Sequence, residues 1–130
     1  MKLFDRQFED WRKDTGIEIA NEQHLKELIH VHQNKPPHFV EIVASDGAKL
    51  LLGVGGEFVT AQYTCASGSP PYLVVKGSED TDDEFIEFLM GDTLTPVSRH
   101  LCITFEKGMA VALHFYRTGK RLDTVAWEEI

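Results

Sequence analysis

Two apolar segments, "HFVEIVAS" and "AKLLLGVG", flank the dipeptide Asp46-Gly47. Asp-Gly in this setting is typical of a β-hairpin, because a tight primed turn needs positive φ angles that Gly adopts freely and Asp tolerates. We therefore predict two antiparallel strands joined by a two-residue turn.

Further strands are predicted on both sides of this hairpin. The segment "FVTAQYTCA" alternates apolar and polar residues, as a strand with one buried face does, and "YLVVKG" follows the turn "SGSPP". In "EFIEFLM", the side chains of Ile86, Phe88 and Met90 share a face. We expect "GDTLTP" to break the sheet, "RHLCI" to return briefly to extended structure, and "LDTVAWEEI" to form a last strand with Trp127 facing inward.

Two helices are predicted from their capping residues. Asn21 precedes a helix that extends to about His32, and Thr104 precedes one that extends to Thr118, where Gly119 can adopt a left-handed conformation. One face of the second helix is predicted to carry Phe105, Met109, Ala112, Leu113 and Tyr116.

The length of 130 residues is typical of one domain, which we expect to span residues 1–130. Phe4, Phe8 and Trp11 recur at helical spacing, so residues 1–15 are predicted to form a helical N-terminal extension. The sequence as a whole predicts an α+β fold, with a mainly antiparallel meander sheet and helices packed on one face.

The charge distribution limits the possible partners. The formal net charge is -8, with 21 acids against 13 Lys and Arg. A chain this acidic repels phosphate backbones, so we expect no nucleic-acid partner, whereas a basic protein surface would be attracted. The acids are concentrated in "EDTDDEFIEFLMGD", the acidic segment from Glu79 to Asp92, which holds seven acids and no Lys or Arg. The alternative interpretation of this acidic segment is a solvated loop and a half-exposed strand. The candidate partner-binding residues all lie in that segment and are Glu79, Asp80, Asp82, Asp83, Glu84, Glu87 and Asp92.

Neither an apolar signal-peptide core nor a run of the roughly 20 apolar residues that span a bilayer is found, so we expect a cytoplasmic protein. Cys65 and Cys102 match no metal-binding or redox spacing and are expected to be reduced and packed.

The sequence predicts no catalytic, metal or cofactor site. The run "GVGG" leads into a strand rather than the helix that a phosphate-binding loop needs. His30 and His32 point about 200° apart on a helix, so they are not expected to share a metal ion. His38, His100 and His114 are expected to be ordinary surface or half-buried residues. No Ser or Cys lies in a nucleophile motif, and we expect a protein that is not an enzyme.

The chain ends with "ITFEKGMAVALHFYRTGKRLDTVAWEEI": a capped helix, Thr-Gly, a basic turn, and a strand bearing Trp and acids. With "LLLGVGGEFVTAQY" and "PPYLVV", this run resembles a bacterial immunity-protein family whose members neutralise polymorphic toxins, notably deaminase-type toxin domains. The likeness covers Gly16 to Ile130. The sequence departs from the family pattern at two places. No proline follows the basic turn, where Leu122-Asp123 stands, and Gly108 lies within the helix. The residues for which we expect structural roles are Gly53, Gly55, Gly56, Phe115, Gly119 and Trp127.

The resemblance implies a protein that binds a cognate toxin domain and blocks its active site or substrate groove. Deaminase and nuclease toxins act on polyanions and tend to present basic grooves, which an acidic surface can occupy. Two alternatives remain. A small-ligand binding or regulatory domain would have a pocket between helix and sheet, lined by Tyr63, Tyr72 and Trp127. A secretion chaperone or adaptor would expose a broad apolar patch.

Overall fold

The structure is a computed structural model, and it describes residues 1–7, 16–77 and 84–130. These ranges contain two α-helices, neither of which combines the length and apolar character needed to cross a membrane. The helices are α1, Glu22–Gln33, and α2, Phe105–Thr118, and a 3-10 turn covers Arg99–Leu101. The described strands are β1 Lys2–Asp5, β2 Ile17–Glu18, β3 His38–Val43, β4 Lys49–Val54, β5 Phe58–Thr64, β6 Leu73–Lys76, β7 Phe85–Met90, β8 Thr93–Ser98, β9 Ile103–Thr104 and β10 Ala126–Glu129.

Seven strands follow one another across the sheet in the order β10-β6-β5-β4-β3-β1-β2, and all neighbours in this series are antiparallel. Strand β7 joins β3 through a single parallel bridge between His38 and Leu89, and β8 pairs with β7. Strand β9 adds two antiparallel pairs to β5. The predicted α+β fold with a mainly antiparallel meander sheet is therefore confirmed.

The two faces of the sheet are covered by different elements. Helices α1 and α2 pack on one face, and the hairpin formed by β7 and β8 packs on the other. The helix-covered cluster includes Leu25, Ile29, Val40, Ile42, Leu50, Leu52, Val59, Ala61, Val111, Ala112 and Phe115. The second, smaller cluster consists of Phe39, Phe88 and Cys102.

The predicted N-terminal helix is wrong for the first residues of the chain. Lys2–Asp5 forms strand β1, which pairs with β3 and buries Leu3 in the core. Pairing with the open edge of β3 satisfies the backbone groups of this segment over a long sequence separation, which local helical spacing cannot reveal. Phe8 and Trp11, on which the helical spacing also rested, lie outside the described residues.

The hairpin between β3 and β4 exists, but its turn differs from the predicted one. The amide of Gly47 donates to the Ala44 carbonyl over 3.0 Å, and the Ala44 amide donates to the Ala48 carbonyl over 2.8 Å. Among the loop residues, Gly47 alone has a positive φ, of 97°. These features describe a three-residue loop closed by a glycine bulge, in place of a two-residue primed turn.

The helix ends agree with the predicted capping residues. The Asn21 side chain accepts a hydrogen bond from the His24 amide over 2.8 Å, and Thr104 Oγ1 accepts one from the Lys107 amide over 3.4 Å. Gly119 ends α2 with a φ of 71°, in the left-handed region that glycine adopts without a steric penalty.

The buried face of α2 is rotated from the predicted one. The helix fully buries Gly108, Val111, Ala112 and Phe115. Of the predicted face, Ala112 is fully buried, and the other four residues are partly buried and pack against the same core: Phe105, Met109, Leu113 and Tyr116. A Cβ atom on Gly108 would lie 2.1 Å from Val59 Cγ2. The missing side chain therefore lets the helix lie directly against β5, and Gly108 is a contact point rather than an interruption of the helix.

Two buried histidines join α1 to the start of β3. His32 Nδ1 and His38 Nε2 are 2.8 Å apart, and His38 Nδ1 lies 2.7 Å from the Pro36 carbonyl oxygen. The expectation of a surface or half-buried His38 is wrong, since its side chain is fully buried. Because a carbonyl can only accept, His38 Nδ1 carries a proton, and in the neutral pair His32 Nδ1 donates to His38 Nε2. If both rings carried a proton on each nitrogen, the N–H groups at His32 Nδ1 and His38 Nε2 would point at each other and the hydrogen bond between them would be lost.

Burial is the main cause that lowers the pKa of His32, and the neighbouring His38 lowers it further. Asp5 opposes this shift, and Lys35 has the smallest effect, which also lowers the pKa. The folded protein consequently binds fewer protons at His32 than the unfolded chain does. Stability due to this group is present above the unfolded pKa and is lost as the pH falls.

Replacing Gly108 by Ala tests the contact between α2 and β5. We expect Gly108→Ala to destabilise the fold by about 1 to 3 kcal/mol through overpacking, although alanine favours helix by about 1 kcal/mol over glycine. Adding Val59→Ala should relieve the clash, so the double variant should be more stable than the sum of the two single effects predicts. Urea unfolding measures all three, and a Gly108→Ala protein as stable as wild type would contradict the contact.

Acidification tests the histidine pair. The free energy of unfolding should decrease below a pH of about 6.5, by up to about 1.4 kcal/mol per pH unit for one histidine. His32→Asn keeps an amide donor near the Nδ1 position and does not titrate, so its stability should depend less on pH between 5 and 7. His30→Asn, at an exposed position on the same helix, is the matched control and should keep the wild-type slope. Parallel curves for wild type and His32→Asn would refute the assignment.

Candidate functional site

The β7–β8 hairpin, Phe85–Ser98, carries the described part of the acidic segment. Its turn consists of Gly91 and Asp92, with φ angles of 55° and 66°, and the register pairs Met90 with Thr93. A two-residue loop with two positive φ angles is a type I′ turn. The primed turn that we predicted at Asp46-Gly47 thus occurs here, and "GDTLTP" forms the turn and the start of β8 instead of breaking the sheet.

The tip of the hairpin is anchored to the N-terminal segment. The Gly91 amide donates to the Arg6 carbonyl over 3.0 Å, and the Asp92 amide donates to the Gln7 carbonyl over 2.9 Å. Further down β7, the Leu89 amide donates to the Pro37 carbonyl over 3.0 Å. The hairpin is therefore held at its tip and along one side, which limits its freedom to move away from the sheet.

The inner face of the hairpin packs on the sheet through Phe88. This side chain is fully buried, and its ring centroid lies 5.4 Å from that of Phe39. A Cβ atom on Gly53 would lie 2.9 Å from the Phe88 ring, so the glycine in β4 provides the space that the ring occupies. Ile86 and Val97 pack beside this cluster. The predicted sharing of a face by Ile86 and Phe88 agrees with these contacts.

The outer hairpin face contains the residues that alternate with those of the inner face. Phe85 is 62% exposed and Leu94 is 57% exposed, and Glu87 and Pro96 are exposed between them. Glu84, just before β7, is also exposed, and the hairpin contains no Lys or Arg. The cross-strand pairs that make up the outer hairpin face are Phe85 with Ser98, Glu87 with Pro96, and Leu89 with Leu94.

The structure places three of the predicted partner-binding residues on or beside this hairpin. Glu84 and Glu87 lie near its base and middle, and Asp92 lies at its tip. All three are exposed. The remaining four predicted residues, Glu79, Asp80, Asp82 and Asp83, lie outside the described residues.

Phe85 and Leu94 were missed by reasoning from the sequence, although a signal for Phe85 was present. The strand "EFIEFLM" puts Phe85 on the face opposite Phe88, which period-two alternation could have identified as exposed. Leu94 was missed because "GDTLTP" was interpreted as a break in the sheet. The most exposed apolar side chains of the site were therefore outside the predicted set.

The free edge of β8 is poorly suited to accept another strand. The Arg99 amide donates to the Glu84 carbonyl over 2.8 Å, which fixes the alternation of hydrogen-bonded pairs along the hairpin. By this alternation the nitrogen of Pro96 faces outward, where it has no hydrogen to donate. Proline at such a position blunts an edge strand, so the outer hairpin face is better suited to contact a partner than the backbone of β8 is.

The chemistry of the other polar side chains is limited. Within the described ranges, no group of three His, Cys, Asp or Glu side chains is placed to hold a metal ion. The two cysteines are free. Burial raises the pKa of the Cys102 thiol to about 11, whereas a hydrogen bond with Ser67 lowers the pKa of Cys65. His30 is exposed and His32 is buried, so these two side chains point apart as predicted.

Among the residues with expected structural roles, Gly53 makes space for Phe88 on the hairpin side, whereas Gly55, Gly56, Phe115 and Trp127 contact the helices or the core that they cover. Gly55 has a φ of 112°, and its amide donates to Gln33 Oε1 over 2.9 Å, which links the β4–β5 turn to α1. Gly56 follows in the same turn, and its carbonyl accepts a hydrogen bond from Gln33 Nε2. Phe115 is fully buried, whereas Trp127 is half-buried and its Nε1 donates to the Leu122 carbonyl over 2.9 Å.

An apolar groove of about 380 Å³ separates β8 from the face of the sheet opposite the helices. Its walls include Leu51 and Val74 from the sheet, Val97 from the hairpin, and the C-terminal Ile130. Tyr63, Tyr72 and Trp127 do not line it, so it differs in place and composition from the pocket that a ligand-binding domain was expected to have. The helix-covered side is instead filled by fully buried side chains such as Leu25 and Phe115.

In comparisons with known proteins, the chain matches no protein-family model and no curated protein.

Proposed function

We propose that this chain is a non-enzymatic immunity protein, which binds a cognate toxin domain of the deaminase or nuclease type in the cytosol and blocks its active site or substrate groove. The docking surface is the outer hairpin face together with its flanking acids. The observation that carries the proposal is the exposure of Phe85 and Leu94 among carboxylates on a hairpin without Lys or Arg. The resemblance of the C-terminal run to an immunity-protein family supports the same function.

The composition of this surface suits a protein partner. Interfaces typically combine a few aromatic or aliphatic anchors with a polar rim. Here Phe85 and Leu94 are candidate anchors, and Glu84, Glu87 and Asp92 are candidate rim residues. Carboxylates at a rim attract a basic partner over roughly one Debye length, about 8 Å at physiological ionic strength, and orient it before contact.

The anchoring of the hairpin favours tight binding by this surface. Its tip is hydrogen-bonded to the segment after β1, and Phe88 fixes its inner face. A surface that is ordered before binding loses less conformational entropy when the partner docks. The same rigidity would let the hairpin enter a substrate groove without rearrangement.

The apolar groove beside β8 favours a second candidate function, the binding of a small apolar ligand. Its volume of about 380 Å³ is within the range of small-molecule sites. Such a ligand would contact Val97 on the inner side of the hairpin and leave Phe85 exposed, so the two candidate functions depend on different apolar side chains.

Removing the apolar anchors tests the docking surface. Phe85→Ser with Leu94→Ser should leave stability nearly unchanged, because both side chains are exposed, and should weaken toxin binding by about 100-fold or more if they are binding hot spots. The partner for the measurement is a purified toxin domain encoded in a neighbouring reading frame, which an immunity function leads us to expect beside this gene. Val31→Ser is the matched control, since Val31 is 56% exposed on α1, away from the hairpin.

Two outcomes distinguish an error in the proposed docking surface from an error in the proposed function. Wild-type affinity in the Phe85 and Leu94 variant would exclude the outer hairpin face as the docking surface while leaving the immunity function standing. Absence of a toxin domain beside the gene, together with no protection of cells that express any such toxin, would refute the function itself.

Neutralising the acids tests their electrostatic role. Glu84→Gln with Glu87→Gln should slow association with the toxin domain and flatten its dependence on salt, while dissociation changes less. Glu27→Gln with Glu106→Gln gives the same change of net charge at exposed positions on the two helices, which cover the face of the sheet opposite the hairpin. Stopped-flow association at low and physiological salt distinguishes the two variants, and equal rates would show that net charge alone steers the partner.

A further inference from the structure

A second concave surface lies where strand β5 changes its partner. Gln62 and Tyr63 of β5 pair with β6, whereas Phe58 and Val59 pair with β9. Between the ends of β6 and β9 the structure leaves a groove of about 480 Å³, which we call the β6–β9 groove. Its described lining residues come from β5, β6, β9, β10, the first turn of α2 and the segments beside these elements.

The charged side chains of this groove have one sign. Lys76, Arg99 and Lys107 line it, and no described lining residue is an acid. This contrasts with the net charge of -8 for the whole chain. Lys76 also has an interaction of its own, and Arg99 and Lys107 carry the inference without it. Two cationic side chains that face one concavity, Arg99 and Lys107, favour a ligand with more than one negative charge.

Arg99 is held in place by an aromatic ring. Its guanidinium carbon lies 3.3 Å from the centroid of the Phe58 ring. Stacking of this kind uses the face of the guanidinium and leaves its N–H edges directed sideways, where they can form two parallel hydrogen bonds to a phosphate or carboxylate. The cation is thus positioned before any ligand arrives, which lowers the entropy lost on binding.

Lys107 reaches the same groove from the first turn of α2. Thr104, the N-cap of this helix, also lines the groove. The positive end of the helix dipole therefore adds to the potential of the two side chains. Ile103, Val125 and Ala126 supply apolar wall, so a ligand could place an organic group beside its charged one.

We propose that the β6–β9 groove binds a small phosphorylated ligand, with the phosphate held by Arg99 and Lys107 and its organic part against the apolar wall. A phosphate monoester fits better than a monocarboxylate, because its dianionic form matches several cations and its three oxygens can accept from both residues. The site is independent of the outer hairpin face and does not require a toxin partner.

Titration of the full chain with phenyl phosphate, inorganic phosphate and benzoate at constant ionic strength tests the proposal. Backbone amide resonances of Thr104, Lys107 and Val125 report binding in the groove by NMR. The expected order of affinity is phenyl phosphate, then inorganic phosphate, then benzoate, since phenyl phosphate combines the dianion with an apolar group. Benzoate binding as tightly as phenyl phosphate would overturn the phosphate class, and shifts confined to other surfaces would overturn the site.

Variants separate this site from general charge effects. Lys107→Gln should weaken phenyl phosphate binding about tenfold, the loss typical of one charge-assisted hydrogen bond. Lys120→Gln makes the same change of net charge beyond the other end of α2, which is about 17 Å along the helix from Lys107, and should bind like wild type. Arg99→Lys keeps the charge but removes the planar group, and should also weaken binding. Equal affinities for Lys107→Gln and Lys120→Gln would refute the proposal, with thermal unfolding confirming that each variant is folded.

Discussion

Burial of β3 on both faces is the constraint on which the rest of the structure depends. Val40 and Ile42 face the helices, while Phe39 faces the hairpin. A shift of one residue in the pairing of β3 would exchange these two sets, so the register between β3 and β4 is set by two cores at once. Strands β1 and β7 then attach to β3 in fixed positions, and the placement of the hairpin follows from the placement of this strand.

The candidate docking surface is a consequence of that packing. Because Phe88 enters the space above Gly53, the alternate residues of β7 must point away from the sheet. Phe85 is therefore exposed by the geometry of the strand, and the type I′ turn brings Leu94 to the same face from β8. An apolar side chain held outward by a buried neighbour cannot easily turn back into the core, which is the situation expected of a preformed binding surface.

Opposite charges meet at the base of the hairpin. Glu84 directly precedes the hairpin and Arg99 directly follows it, and a backbone hydrogen bond of 2.8 Å joins the two residues. Arg99 lines the β6–β9 groove and Glu84 does not, so the two proposed sites use different charged side chains although they adjoin at this pair.

Features governed by neighbouring residues could be predicted from the sequence alone. The caps Asn21, Thr104 and Gly119 were found because capping depends on one side chain or one φ angle within a single turn of helix. The alternation of β5 and β7 predicted strands because their side chains have a period of two, and the α+β fold followed. The acids beside the hairpin could be located in the same way, since exposed charge is visible in composition.

Only the tertiary structure decided the features that join distant parts of the chain. Strand β1 replaces the predicted helix because it completes the edge of β3, about 40 residues away along the chain. The buried face of α2 is set by the contact of Gly108 with Val59. The loop at Gly47 and the turn at Gly91 have different conformations, although both contain the turn-forming residues Gly and Asp. The exposure of Phe85 and the gathering of Arg99, Lys107 and Lys76 around one groove also depend on packing. These features result from contacts between residues far apart in sequence, which local periodicity does not record.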